Sequence, residues 1–444
     1  MERIIFHIDV NSAYLSWSSL KLLSEGSSVD LRLIPSIIGG DVSKRHGVVL
    51  AKSIPAKKYG ITTGEPIVNA FRKCPSLTLQ PPDHELYLKK SRELMNFLGD
   101  ICPEIEQLSV DECFMDFTPI ANRFESPEKG AAFIKDEIKK RFGFTVNIGI
   151  SDKKVLAKMA SDFKKPDMVH TLFTSQIKEK MWPLPVSALY MCGKSSRQVL
   201  NNLEIKTIGD LANADKDVLY AHLKSHGITL YEYANGIDAS PVASAPAEMK
   251  GIGNSITLSK DARTRADALR PLLSLSESVG SRLRQSAQTA GMVSVEIKYS
   301  SFVSVSHQTT LFSPSSSTQT IYETACRLFD ELWDGSPVRL LGVRTSKLLS
   351  EAEPAQLNLF DLVQSPAAQS SPSHAKLAAL DKSLDSIRRK YGENAIVRGS
   401  LLQESAKQPH PLPDSSPENN KKELLTQLSK NAERSSGSAK FPII

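Results

Sequence analysis

The chain has 444 residues, of which 40% are hydrophobic and 23% charged, and its 55 Lys and Arg against 49 Asp and Glu give a formal net charge of +6. That is the composition of an ordinary globular protein and excludes a wholly disordered, collagenous or fibrous chain. The length allows two to four domains of ~100–200 residues, and so small a basic excess permits a polyanionic partner without naming one.

Residues 3–10 alternate Ile4, Phe6, Ile8 and Val10 with Ile5, His7 and Asp9, the period of a half-buried strand with Asp9 at its far end. His7 and Asp9 also break the apolar run that a signal peptide needs. No window approaches the ~18 apolar residues of a membrane span, so a cytoplasmic protein without a membrane partner is expected. NSAYLSWSSLKLLSE reads as a helix capped by Asn11 or Ser12, and SLTLQPPDHELYLKKSRELMNFLGDIC as a strand, a Pro-Pro turn and an amphipathic helix. EIEQLSVDECFMDFT follows as a hairpin with acids at its bend, SPEKGAAFIKDEIKKRFG as a helix with Ser126 as cap, and FTVNIGIS as a strand. Over residues 4–150 this order is that of a ferredoxin-like split βαβ sheet.

From 174 to 236 the pattern is helical, with VSALYMCGKSSRQVLNNLEIKTIGDLANA as two short helices around a Gly-containing turn. PVASAPAEMKGIGN (241–254) has no periodicity and reads as an interdomain linker. Residues 255–350 give a fresh βαββαβ-like pattern, so the fold class is α+β. Beyond 351, EAEPAQLNLFD leads into a low-complexity linker, an amphipathic stretch at 377–402 and a Pro-, Ser- and Lys-rich tail that lacks the apolar content to order. The five cysteines, Cys74, Cys102, Cys113, Cys192 and Cys326, are scattered and never at C-x-x-C spacing, which argues against zinc or a disulfide framework.

The acids make the sharpest chemical pattern. Asp9 ends the first strand, and Asp111 and Glu112 lie at the bend of the hairpin that the ferredoxin-like order sets beside it. Adjacent strand residues face opposite ways, so Asp111 and Glu112 share one site only if the bend twists. Three hard carboxylates without a His or Cys partner suit Mg²⁺, and a pair of such ions would serve phosphoryl transfer; acids are also common on surface hairpins. There is no G-x-x-x-x-G-K-[ST] and no G-x-G-x-x-G. Phosphates would therefore fall to metal and to single residues such as Lys57, Lys58, Lys164 and Lys165. Gly39-Gly40-Asp41 is followed by Val42-Ser43 and reads as a loop.

HIDVNSAYLSW (7–17), AKSIPAKKYGITTGEPI (51–67), LSVDECFMDFT (108–118) and NIGISDKKVLAKMASDFKKPDM (147–168) stand in the order and spacing of the Y-family DNA polymerases, the error-prone translesion enzymes, which the chain resembles over about 350 residues. The resemblance implies a right-hand polymerase. Its ferredoxin-like palm would take residues 1–10 and 80–173, its fingers 11–79, a helix-hairpin-helix thumb 174–240, a linker 241–254 and a little finger 255–350. A clamp-binding motif and linker would follow at 351–376, a helical extension at 377–402 and a disordered tail at 403–444.

It further implies that Asp9, Asp111 and Glu112 are catalytic and hold two Mg²⁺ ions together with the Val10 carbonyl. Tyr14 matches the steric gate that excludes a 2′-hydroxyl, and Lys57 and Lys165 match triphosphate contacts. Lys57 replaces the more frequent Arg and Ile54 a frequent Tyr, so weaker nucleotide binding is expected from the loss of a guanidinium fork and a hydroxyl. DNA contacts fall to Gly193 and Lys194 in the thumb turn, where Met191 replaces the usual first glycine, and to Ser255, Thr257, Arg339, Arg344 and Ser346. QLNLF (Gln356, Leu357, Leu359 and Phe360 being its matching positions) resembles the peptide that docks in the sliding clamp. The partners implied are primer-template DNA, deoxynucleoside triphosphates and the clamp, for a monomer without proofreading. Two rivals remain, another ferredoxin-like nucleotidyl enzyme such as a cyclase and a non-catalytic DNA- or clamp-binding module. The first needs no DNA and leaves the late domain and QLNLF unexplained, and intact Asp9, Asp111, Glu112 and Tyr14 argue against the second.

Overall fold

The computed structural model describes residues 3–41, 47–245, 248–350, 372–392 and 395–401. QLNLF and the tail from 403 lie outside them.

The N-terminal half runs β1 (Ile5–Val10), α1 (Ala13–Ser24), β2 (Ser36–Gly39), β3 (Val49–Lys52), α2 (Ile54–Lys57), α3 (Ile67–Lys73), β4 (Thr78–Gln80), α4 (His84–Ile101), β5 (Ile105–Gln107), β6 (Glu112–Asp116), α5 (Pro127–Phe142), β7 (Val146–Ser151), α6 (Lys154–Ser161) and β8 (Val169–Thr171). A five-stranded sheet is ordered β5-β6-β1-β7-β8. β1 is its central strand, antiparallel to β6 and β7, and is covered on both faces instead of half-buried. Phe6, Ile8 and Val10 pack with Leu94, Phe97, Ile134 and Ile138 from α4 and α5, while Ile5 packs with Phe114 and Ala157 of α6 on the other face.

The α6 backbone rests directly on β7, where a Cβ on Gly149 would lie 2.0 Å from the Ala157 carbonyl. That close approach is what the glycine of NIGIS permits. Ser126 caps α5 through Lys129 N–H, as expected, and Gly143 ends it at φ 75°. By contrast, neither Asn11 nor Ser12 caps α1. Ser12 is left-handed, at φ 48°, and makes no side-chain cap bond, and the Asn11 amide is used elsewhere. The strand in SLTLQ forms, but as β4 of a separate sheet ordered β3-β2-β4, where it pairs in parallel with β2.

Short helices follow at α7 (Ile177–Lys180), α8 (Lys194–Asn202), α9 (Ile208–Ala212) and α10 (Lys216–Ala234). Their core of Leu200, Ile208, Leu211, Leu219 and Leu230 also takes Val155, Leu156 and Met159 from α6, so α6 is packed on both sides.

The segment read as a linker is shorter and less free than expected. Val242 packs against Ile5 and Phe114, Ala243 N–H donates to Glu106 at 2.8 Å, and Lys154 reaches the Pro241 carbonyl. Its GIGN end is strand, because β9 begins at Gly251. A Cβ at Gly251 would lie 2.4 Å from the Thr345 carbonyl and one at Gly253 would lie 3.1 Å from Arg344 Cβ, so these glycines mark close strand pairing and not flexibility.

The last unit is β9 (Gly251–Ala262), α11 (Arg265–Gln285), β10 (Gln288–Tyr299), β11 (Ser304–Ser315), α12 (Thr318–Leu332) and β12 (Val338–Ser350), the βαββαβ order read from the sequence, followed by α13 (Pro372–Tyr391). Its antiparallel sheet β11-β10-β12-β9 packs one face on α11 and α12. α13 is fastened to this unit by nearly buried ions. Arg284 meets Asp381 and Asp385 at 3.3 and 2.6 Å, Glu277 meets Arg388 and Arg398 at 3.3 and 2.5 Å, and Arg398 also meets Asp381 at 3.2 Å. Asp381 further accepts from Thr318 N–H at the start of α12, at 3.0 Å.

Asp381→Ala, which takes from Arg284 and Arg398 one of the two carboxylates each meets and leaves Thr318 N–H without its acceptor, is expected to destabilise this unit by about 2 kcal/mol, read as a lower thermal midpoint with faster amide exchange across 376–391. Burial raises the Asp385 carboxyl, but hydrogen bonding and charge from Arg284 hold it below its ordinary value on balance. Its contribution is therefore present above the unfolded carboxylate range, near pH ~4, and is lost as pH falls through the lower folded value.

Candidate active site

Cross-strand register sets Asp9 opposite Glu112, which places both on the face that carries His7 and Phe114. Asp111 lies just before β6 in a bend, with its carbonyl accepting Val10 N–H at 3.0 Å. The bend breaks strand alternation and leaves Asp111 near enough for the charges of Asp9 and Glu112 to act on it. It accepts the Ser109 hydroxyl at 2.6 Å.

Burial, with the neighbouring charges of Asp9 and Glu112, pushes the Asp111 carboxyl above its ordinary value. Glu112 is held down to about 2 by His7 and Lys158. Lys158 lies 2.5 Å from it, whereas His7 Nε2 stands 3.3 Å away without a well-formed hydrogen bond. Asp9 is paired with Lys165 at 2.5 Å, and Lys165 also meets Asp162 at 2.8 Å. With two of the acids turned to lysines, no three His, Cys, Asp or Glu side chains among the described residues converge as a ready ligand set. The donors nevertheless suit a hard divalent cation. They are all oxygen, and the repulsion that raises Asp111 is what such a cation offsets.

Asp9 and Asp111, but not Glu112, open on a cavity of about 800 Å³ lined also by Val10, Tyr14, Lys52, Ile54, Lys57 and Lys165, among others. Tyr14, in the first turn of α1, stacks flat on Tyr87 with centroids 4.2 Å apart, and Tyr87 is anchored by Ser18 at 2.8 Å. Burial and the Asp111 charge push the Tyr14 hydroxyl up, and the ring, backed by α4 through Tyr87, lines the cavity and is not a free surface aromatic.

Several contributors escaped the sequence reading. Asn11 Oδ1 accepts from Thr145 Oγ1 and Asp167 N–H, each at 2.9 Å. Asn147 holds the carbonyls of Ser161 and Lys164 at 3.1 and 2.7 Å, so the two amides fix the loop that presents Lys165. His7, Lys158, Tyr87 and Lys52 were also missed. A polar Asn147 inside an otherwise apolar strand was the visible signal.

Away from the acids, Gly193 caps α8 and Lys194 begins it. Met191, 53% exposed, adopts φ 70°, the conformation a glycine takes at no cost. Met191→Gly is expected to raise stability by a few tenths to ~1 kcal/mol, measured as a higher denaturant midpoint.

On the open face of the C-terminal sheet, Ser255, Arg344 and Ser346 line a broad depression with Ser294, Glu296 and Gln308. Thr257, paired with Leu340, belongs to the same face. Arg339 stands apart at a bulge, its guanidinium 4.8 Å from the Phe302 ring at the hairpin tip. All five cysteines are free. No helix among the described residues is long and apolar enough to cross a membrane.

This arrangement of sheets and helices is the Y-family polymerase fold. A solved Y-family DNA polymerase chimera of Dbh and Dpo4 superposes with a TM-score of 0.68, covering 78% of this chain and 99% of that one, at 21% identity. Residues 8–162 match the impB/mucB/samB family and residues 249–359 that family's C-terminal domain. DNA polymerase IV of Clostridium acetobutylicum is 47% identical over 92% of this chain and 100% of its own length. DNA polymerase IV of Acetivibrio thermocellus is 37% identical over 91% and 98%, and DNA polymerase IV 1 of Bacillus subtilis 34% identical over 90% and 93%. The chain belongs to the impB/mucB/samB family, the Y-family of translesion DNA polymerases, and is a DNA-directed DNA polymerase similar to DNA polymerase IV.

Proposed function

We propose that the protein adds deoxynucleotides to a primer 3′ end under template direction, past damaged as well as ordinary bases, with low fidelity and without proofreading, in DNA damage tolerance and repair. The observation that carries this reading is the juxtaposition of Asp9, Asp111 and Glu112 beside a cavity floored by Tyr14 and edged by lysines. Asp9, Asp111, Glu112 and the Val10 carbonyl would hold two Mg²⁺ ions, which when bound activate the attacking hydroxyl and offset charge on the phosphates.

The chain's own groups do the rest. Lys57 and Lys165 draw the triphosphate, and Lys165 exchanges its Asp9 partner for phosphate oxygens. Lys158 keeps Glu112 ionised. Tyr14, backed by Tyr87, sets the floor under the sugar, so a 2′-hydroxyl meets the ring. Gly193 and Lys194, with Ser255, Thr257, Arg339, Arg344 and Ser346, would follow the DNA backbone in a salt-sensitive, sequence-independent grip. QLNLF, through Gln356, Leu357, Leu359 and Phe360, would dock in a sliding clamp, and the protein would act as a cytoplasmic monomer.

The palm is assigned to 1–10 and 80–173, the fingers to 11–79, the thumb to 174–240 and the little finger to the unit after the linker. Primer extension with and without the clamp tests the reading. Deleting QLNLF should remove clamp stimulation and leave clamp-free extension intact, and equal stimulation of both forms would count against the motif.

A further inference from the structure

We propose that Lys52 is a third triphosphate-binding cation, which supplies the contact that Ile54 does not make and reinforces Lys57. The inference rests on the cavity being the nucleotide site. Sorting the cations on its wall isolates Lys52. Arg32 is spent on Asp30 and on the Gly143 carbonyl, and Lys165 on Asp9 and Asp162. Among the described residues Lys52 and Lys57 form no ion pair, and the Lys52 ammonium has only the Thr63 hydroxyl, at 3.2 Å.

Glu65, the one carboxylate among the described residues whose charge acts on Lys52, is itself held by Lys73 at 2.5 Å and by Thr62 N–H at 3.0 Å. Burial and the charge of Lys57 push the Lys52 ammonium below its ordinary value. Two cations thus sit close enough to repel each other, with no ion-pair partner among the described residues, on the wall of a cavity open to a ligand. A polyphosphate neutralises both.

The separation between them is fixed in advance. Lys52 ends β3 in register with Ile37. Ser53 is pinned through its hydroxyl to the Ile34 carbonyl at 2.7 Å and accepts N–H groups from Ser36 and Ala56, each at 3.1 Å, and one turn of α2 later comes Lys57. Little conformational freedom remains for the backbone to lose when an anion binds. Ile54, 52% exposed between the two lysines, offers no donor, so the charge must come from either side of it.

Single-nucleotide insertion by the full chain, with Mg²⁺ and a primer-template, tests this. Lys52→Ala should raise KM for the incoming deoxynucleotide about 10–100-fold, the worth of one charge-assisted hydrogen bond, with kcat little changed. Inhibition by inorganic pyrophosphate should weaken in parallel, and Lys52→Arg should restore most of the affinity. Lys57→Ala serves as control. If Lys57→Ala raises KM and Lys52→Ala does not, the Lys52 assignment falls while the nucleotide site stands. If neither raises it, the nucleotide reading of the cavity falls too. A lowered kcat at unchanged KM also overturns the proposal, and Lys52→Gln, closer in length, repeats the measurement should the alanine variant fold poorly.

Discussion

Asp111→Asn should lower the rate of primer extension on the order of 10³-fold, the scale on which removal of one group that stabilises transition-state charge is felt. Primer-template affinity should hold, because that affinity comes chiefly from phosphate contacts made elsewhere. The substitution keeps the volume and can still accept the Ser109 hydroxyl, now 2.6 Å from the carboxylate, so the bend survives. It also removes a buried negative charge whose neighbours Asp9 and Glu112 repel it. Thermal stability should therefore be unchanged or slightly higher, the usual relation between a charged catalytic cluster and its neutralised variant. Loss of activity together with a clear fall in melting temperature would make Asp111 a structural residue instead. Single-turnover extension and a thermal melt on the same preparation separate the two outcomes.

Tyr14→Ala should reduce discrimination against ribonucleotides by on the order of 10²-fold, comparable to the largest effects that pocket shape alone exerts on substrates differing by one small group. The ring is backed by the flat stack on Tyr87 and lines the cavity with Asp9 and Asp111, so a 2′-hydroxyl on a sugar resting on it would meet a ring that cannot retreat toward α4. Tyr87→Ala should loosen the same discrimination less, because the gate remains but its backing goes. Comparing kcat/KM for a deoxynucleotide and its ribonucleotide partner across wild type and both variants checks the order, and unchanged selectivity in Tyr14→Ala removes the gate.

What the sequence conveys and what it withholds divide along physical lines. Alternation and helix periodicity report one chain's own burial pattern, so β1, α5 with its Ser126 cap and the βαββαβ order near the C-terminus were legible. The strand order foretold that Asp9 would lie beside the bend of Asp111 and Glu112, and Asp9 does face Glu112 across β1 and β6, while a catalytic role for the three comes from the resemblance and not from spacing. The missed features all depend on what lies across the fold. Gly251 and Gly253 look like linker until β12 is seen against them. Asn11 looks like a cap until Thr145 and Asp167 claim its oxygen. Lys52 looks like any surface lysine until Arg32 and Lys165 are seen to be committed and it is not. The docked helix α13 carries its Asp381 and Asp385 as ordinary surface acids would, and Arg284, about a hundred residues earlier, with Thr318 and Arg398, gives them their meaning.

The most direct test of the account is primer extension by the wild-type chain with Mg²⁺ and all four deoxynucleotides, on matched templates with and without a lesion in the path. The expected result is template-directed extension that continues past the lesion, that chelation of the metal stops, and that leaves a labelled primer unshortened when nucleotides are withheld. Failure to extend either primer in the presence of metal and nucleotides would contradict it.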